Sequence, residues 1–174
     1  MSNRVLPSES FRSDVLEVAP ALLGQFLCRR LPDGEVLRRR VTEVEAYRGE
    51  EDTACHARAG RTKRTSVMYG PGGHAYVYLC YGIHHLLNVV TGPEGFPQAA
   101  LIRGLDGAAG PGRATKAMGI DLALNGAALV PGSGLWLEAG AAPERIDTGP
   151  RIGIGYASPE DQARPWRFVA ASLP

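Results

Sequence analysis

Apolar and polar positions alternate over short runs that glycine and proline interrupt, a pattern of strands and turns rather than long helices. In RRLPDGEVLRRR, the turn-forming Pro32, Asp33 and Gly34 separate two strand-capable arms, so the spacing predicts a hairpin whose second arm runs from Val36 to Tyr47. Alternation along that arm places Glu43, Glu45 and Tyr47 on one face and Thr42, Val44 and Ala46 on the other. Two carboxylates and a phenol on one face do not make a core. A stronger hairpin signal is HAYVYLCYGIHHLLNVV, with strand formers from Ala75 to Cys80, a break at Tyr81 and Gly82, and an apolar arm through Val90. Tyr81 then stands at a hairpin tip, where a large aromatic has little core to enter and is better explained by a contact with a partner.

AALIRGL (Ala99 to Leu105) reads as a buried strand with a basic end at Arg103, and further strands are expected at LVPGSGLWLEA, RIGIGYA and PWRFVAA. Short helices are expected at PALLGQFL, opening at Pro20, and within GPGRATKAMG, capped by Gly119. The G-x-G of that second segment lacks both the third glycine of a dinucleotide fingerprint and a G-K-S/T, which argues against a nucleotide fold.

The 174 residues, 22 of them Gly and 13 Pro, suit one domain and exclude an all-helical bundle. An apolar share of 44% with 19 basic against 18 acidic residues is not the composition of a disordered chain. No apolar run approaches the roughly 20 residues that cross a bilayer. Cys28, Cys55 and Cys80 are odd in number and widely spaced, without C-x-x-C, so neither a disulfide framework nor a thiolate zinc site is suggested. The opening MSNRVLPSESFRSD has no signal-like apolar segment, and a cytoplasmic location is expected.

A formal net charge of +1 hides a segregation. From Thr53 to Pro93 there is no acid, while Arg58, Arg61, Lys63, Arg64, all 4 histidines and most of the tyrosines fall there. Just upstream lie Glu43, Glu45, Glu50, Glu51 and Asp52. A basic, tyrosine-interleaved stretch beside a knot of carboxylates suits a phosphate-tracking surface next to an acid/base site, or else a solvated basic loop ahead of an apolar hairpin. Taken alone, Glu45 reads as an exposed strand carboxylate paired with an arginine, and His56 as a solvated loop histidine.

VTEVEAYRGEEDTACHARAGR, then MYGPGGHAYVYLCYGIHHLLNVVT, AALIR, GPGR, PRIGIGYA and RPWRF occur in order and resemble the alkyladenine (3-methyladenine) DNA glycosylase family from about Leu22 to Phe168. The resemblance implies an enzyme that bends duplex DNA, wedges an aromatic into the stack and flips a damaged purine into a pocket for hydrolysis of its N-glycosidic bond. Tyr81 matches the wedge, Glu45 the general base, and Arg103 an arginine that helps position the attacking water. Tyr47, His56 and Tyr78 match the aromatic clamp on the two faces of the base, with His56 placed to donate to the purine edge. Asn88 matches a residue that crowds the exocyclic amine of normal guanine. Arg58, Arg61, Lys63, Arg64 and Arg113 are expected on the DNA backbone, with Gly110 to Gly112 approaching it. No lysine occupies an identifiable pocket position, so a monofunctional hydrolase leaving an abasic site is expected.

The expected fold is α+β, a single compact domain over residues 1–174 with a mainly antiparallel, curved, open-barrel-like sheet, a few short helices and a protruding hairpin. Residues 1–13 are expected to be flexible. No cofactor and no membrane contact are expected; the partner is double-stranded DNA containing damaged purines, bound by a monomer. Two other readings exist: a metal-dependent nucleic-acid hydrolase using His56, His74, His84, His85 and the acidic cluster, and a non-catalytic module that recognises damaged DNA. The first is weakened because adjacent strand residues such as His84 and His85 point to opposite faces.

Overall fold

A computed structural model describes residues 4–174. In chain order the elements are α1 (Val15–Leu22), β1 (Phe26–Arg30), β2 (Val36–Arg48), β3 (Ala75–Cys80), β4 (His84–Val90), β5 (Gln98–Leu105), β6 (Ala108–Ala109), α2 (Pro111–Ala117), β7 (Leu135–Glu138), β8 (Arg145–Gly149), α3 (Pro159–Ala163) and β9 (Arg167–Ser172). The strands run antiparallel in the order β3-β4-β5-β2-β1-β7, with β6 on β5 and the β8–β9 pair joined to β2 through β9. The path begins at β3 and ends at β7 without closing, so the architecture is α+β on an open antiparallel sheet.

The long strand β2 organises this sheet. Arg40 back to Val36 pair with β1, whereas Val41 to Arg48 pair with β5 and Glu43 to Glu45 also pair with β9. Where the partners change, the register with β5 shifts on both sides of Glu43, an irregularity of the kind that bends a strand and re-aims its side chains. Alternation still holds in its consequence. Past the shift, Val44 and Ala46 enter the main core with Leu87, Val89, Ala100 and Ile102 while Glu45 and Tyr47 face the other way, and Val41, which precedes the shift and shares the parity of Glu45 and Tyr47, is in the core as well.

Both predicted hairpins form. Leu31 and Glu35 close the first, and β3 pairs with β4 from Ala75↔Val89 to Cys80↔His84. The second loop includes Ile83 as well as Tyr81 and Gly82. The Ile83 amide donates to the Cys80 carbonyl at 3.1 Å, and Tyr81 (φ 51°) and Gly82 (φ 67°) both take the positive φ that a type I′ turn requires.

Three local expectations need correction. The first helix ends at Leu22 rather than opening at Pro20, because Asp14 caps it by accepting from the Leu16 amide and Val15, Val18, Ala19 and Leu22 make its buried face. RIGIGYA is a loop and not a strand; Gly153 takes φ 74°, and the strand of this region lies earlier, at β8. The segment expected to be flexible is tied down through its described part. Leu6 donates to the Leu137 carbonyl, and Phe11 is 1% exposed in the core. Residues 1–3 of that expectation lie outside the described residues.

Candidate active site

The site grows from the polar face of β2. Glu45, which taken alone read as an exposed strand carboxylate, is 0% exposed, and donors hold both of its oxygens. The Tyr47 hydroxyl donates to Oε2 at 2.7 Å, and the Ile152 backbone N–H donates to Oε1 at 2.7 Å. Arg103 Nε lies 3.5 Å from Oε1 and donates to Glu43 Oε1 at 3.1 Å, while Arg167 grips the same Glu43 oxygen at 2.6 Å. Burial raises the Glu45 carboxyl above the ordinary carboxylate value; Arg103, the Ile152 amide, the Tyr47 hydroxyl and Arg151 oppose that rise without cancelling it. Burial, then the Glu45 charge, pushes the Tyr47 phenol up, so it stays a donor.

Above this acid lie rings. Tyr47, His56, Tyr78 and Asn88 line one small recess of ≈ 40 Å³ together with Ala54, Met68, Tyr76 and Tyr156. The His56 and Tyr78 rings meet edge to face with centroids 4.5 Å apart, and His56 Nδ1 is 3.0 Å from the Tyr76 hydroxyl. Burial, reinforced by Arg64 and Arg58, drops the His56 imidazole to about 4, so the ring is neutral near pH 7. Asn88 Nδ2 donates to the Tyr76 carbonyl at 3.2 Å, which fixes the orientation of its amide.

Tyr47, His56, Tyr78 and Tyr156 also line a cleft of ≈ 880 Å³ whose walls include Arg103, Ile152, Arg64, Arg113, the Gly110–Gly112 turn and Tyr81. At the hairpin tip Tyr81 is 90% exposed, with Ile83 beside it at 72%. Tyr47, His56 and Tyr78 of the expected clamp, Arg103 and the residue expected to open the stack therefore share one cavity, whereas Glu45 and Asn88 are not part of its wall. Arg64 and Arg113 belong to its wall. Arg58, Arg61 and Lys63 are exposed but lie outside it, and Arg58 and Arg61 rest over the rings of Tyr156 and Tyr69. Among the described residues no group of three or more His, Cys, Asp or Glu side chains is placed to hold a metal ion.

Sequence reasoning missed the loop after β8. Arg151 is fully buried and makes a bidentate pair with Asp52, Nη1 to Oδ2 at 2.6 Å and Nη2 to Oδ1 at 2.8 Å. It also donates to the Ala46 carbonyl, and its guanidinium carbon lies 4.8 Å from the Tyr47 ring centre and 5.0 Å from that of Trp166. Asp52 in turn receives the Ala54 and Arg48 amides, so one ion pair ties the strand of Glu45 to the segment that carries His56. The next residue, Ile152, supplies the amide on Glu45, and Tyr156 closes one side of the recess. The only sequence signal was an arginine at the head of a glycine-rich apolar run.

A concealed carboxylate, raised in proton affinity by burial, whose donors wall a cleft with aromatic rings and a projecting aromatic, suits acid/base work on a flat group of a larger polymer. Comparison with known proteins gives the polymer. The model of the methylpurine-DNA glycosylase family matches residues 9–108 and 105–174. A DNA-3-methyladenine glycosylase of Arabidopsis thaliana is 42% identical over 192 residues, covering 98% of this chain and 73% of its own. Proteins of Methanocella arvoryzae (45% identical, 98% of this chain and 94% of the other) and Nitrosococcus oceani (43%, 98% and 92%) carry the provisional name 3-methyladenine DNA glycosylase. The molecule is thus a DNA glycosylase, a hydrolase that removes alkylated bases from DNA. The chain belongs to the methylpurine-DNA glycosylase family.

Proposed function

We propose that the protein flips alkylated and deaminated purines out of duplex DNA and hydrolyses the N-glycosidic bond on its own, leaving free base and an abasic site. One observation carries this reading: the three residues that approach the buried carboxylate of Glu45, namely Tyr47, Arg103 and Ile152, all line the cleft that also holds the exposed ring of Tyr81. Tyr81 enters the base stack from the hairpin tip and fills the gap left by the extruded nucleotide, which offsets part of the few kcal/mol that unstacking costs. The extruded purine lies between Tyr47 on one side and His56 and Tyr78 on the other. Asn88, its amide fixed by the Tyr76 carbonyl, crowds the position of a normal guanine amine.

As the glycosidic bond lengthens, positive charge grows on the sugar, and ionised Glu45 stabilises it while taking a proton from the attacking water. Arg103, braced by Glu43, orients that water and favours the ionised form of Glu45 against its burial. The base leaves with its electron pair and the water oxygen bonds to the anomeric carbon. Arg64 and Arg113 hold phosphates along the cleft, and Arg58, Arg61 and Lys63 extend the basic surface beyond it.

The test is release of methylated purine from alkylated duplex DNA by the purified protein in EDTA. Glu45→Gln is expected to lower release by about 10²- to 10⁴-fold while lesion binding persists. Turnover near the wild-type rate in that variant would remove Glu45 from the mechanism.

A further inference from the structure

The loop that begins at Arg151 ends on an aromatic that the mechanism above does not use. Tyr156 is 57% exposed although its position is fixed from several directions. Its hydroxyl donates to the Ala54 carbonyl at 2.7 Å, and the Arg58 guanidinium carbon lies 4.7 Å from its ring centre. Its own loop is pinned as well: the Ala157 amide donates to the Ile154 carbonyl, and Gln162 Nε2 donates to the Gly155 and Ala157 carbonyls. A ring held this firmly, with more than half its surface open, gains little from burial in its own fold and is ready to bury that surface on a ligand. Its location says which ligand. Tyr156 lines the recess together with Tyr47, His56 and Tyr78, and the same four residues also line the cleft.

We propose that Tyr156 is a further base-contacting residue, a fourth aromatic wall whose ring meets the edge of the extruded purine that Tyr47, His56 and Tyr78 leave open and is backed by Arg58. This rests on the base-flipping reading given above. Arg58 then serves the base site through Tyr156, which accounts for its place outside the cleft wall that Arg64 and Arg113 share. The ring, and not the hydroxyl, makes the contact, because the hydroxyl is already engaged by Ala54.

Tyr156→Phe and Tyr156→Ala separate these parts, and an exposed position lets both variants fold. Single-turnover release of methylated purine from alkylated duplex is measured against enzyme concentration, with affinity for undamaged duplex measured alongside. The Phe variant should stay within about twofold of wild type, and the Ala variant should lose roughly 5- to 100-fold in the ratio of maximal rate to half-saturating concentration. Undamaged duplex should bind all three proteins equally. Equal losses in Phe and Ala would make Tyr156 a hydroxyl clasp on the Ala54 segment and overturn the proposal. So would wild-type release by the Ala variant, or an Ala defect of the same size on undamaged DNA, which would mark a backbone contact. Failure of the wild type itself to release base would overturn the underlying reading instead, and the proposal with it.

Discussion

At Glu45 two demands compete. The carboxylate must be ionised to accept a proton, yet it is wholly buried, and burial favours the neutral acid. The Tyr47 hydroxyl, the Ile152 amide and the Arg103 cation recover much of that loss, but its proton affinity stays above that of an ordinary glutamate. The acid limb of the rate profile should accordingly lie at higher pH than a solvated carboxylate would give. Arg103→Gln removes a favourable charge, so the limb in that variant should move to higher pH still, measured as residual single-turnover activity; a limb that stayed in place or moved down would remove Arg103 from control of the base. His56 behaves in the opposite sense. Its imidazole falls to about 4 from an unfolded value of 6.5, so the unfolded chain binds the proton first and folding stability is lost as pH falls between those values. Its proton NMR titration should show no inflection near 6.5, and one found there would place the ring in solvent.

Among the elements, the β3–β4 hairpin carries a trade between fold and function. Tyr81 is the one non-glycine described residue at positive φ, a backbone region that costs a side-chain-bearing residue roughly 1–2 kcal/mol. Asparagine tolerates that region, and Asn-Gly is the favoured type I′ pair. Tyr81→Asn should therefore melt at or above the wild-type temperature, by a few degrees at most, while base release falls by roughly tenfold or more through loss of stacking. A lower melting temperature would mean that the ring supports its own protein. This hairpin can be read in the sequence because strand formers flank turn chemistry within a few residues, and the polar face of β2 can be read because its period is 2. Two other elements could not be read so directly. Pro20 suggested a helix start, but the apolar spacing from Val15 and the Asp14 cap fix the helix five residues earlier. In RIGIGYA the alternation of isoleucine with glycine imitates a strand, although glycine offers no side chain to pack against a neighbour.

For the molecule as a whole, the decisive contact is the Arg151–Asp52 pair, and its partners are 99 residues apart. No local pattern encodes such a pairing, and for that reason Glu45, Tyr47, His56, Tyr78 and Tyr81 could be singled out in the sequence while the brace beside them could not. Both charges are buried, so removing one leaves the other without compensation. Asp52→Asn should cost about 3–5 kcal/mol of stability, read from urea unfolding. Base release under conditions where the variant remains folded should also fall, because Tyr47 loses its backing and the Ile152 amide its anchor. An unchanged unfolding midpoint would show that the pair is dispensable.

The hydrogen bond from Ile152 to Glu45 joins points 107 residues apart, the second of them close to the last strand. During synthesis Glu45, the rings of the recess up to Tyr78, and Tyr81 are all made well before that amide exists. A chain lacking that loop would carry Glu45 without the amide on its Oε1 and without the Arg151–Asp52 brace. The order of the chain thus sets the order of assembly, and Glu45 gains its last backbone donor only once the loop after β8 has been made.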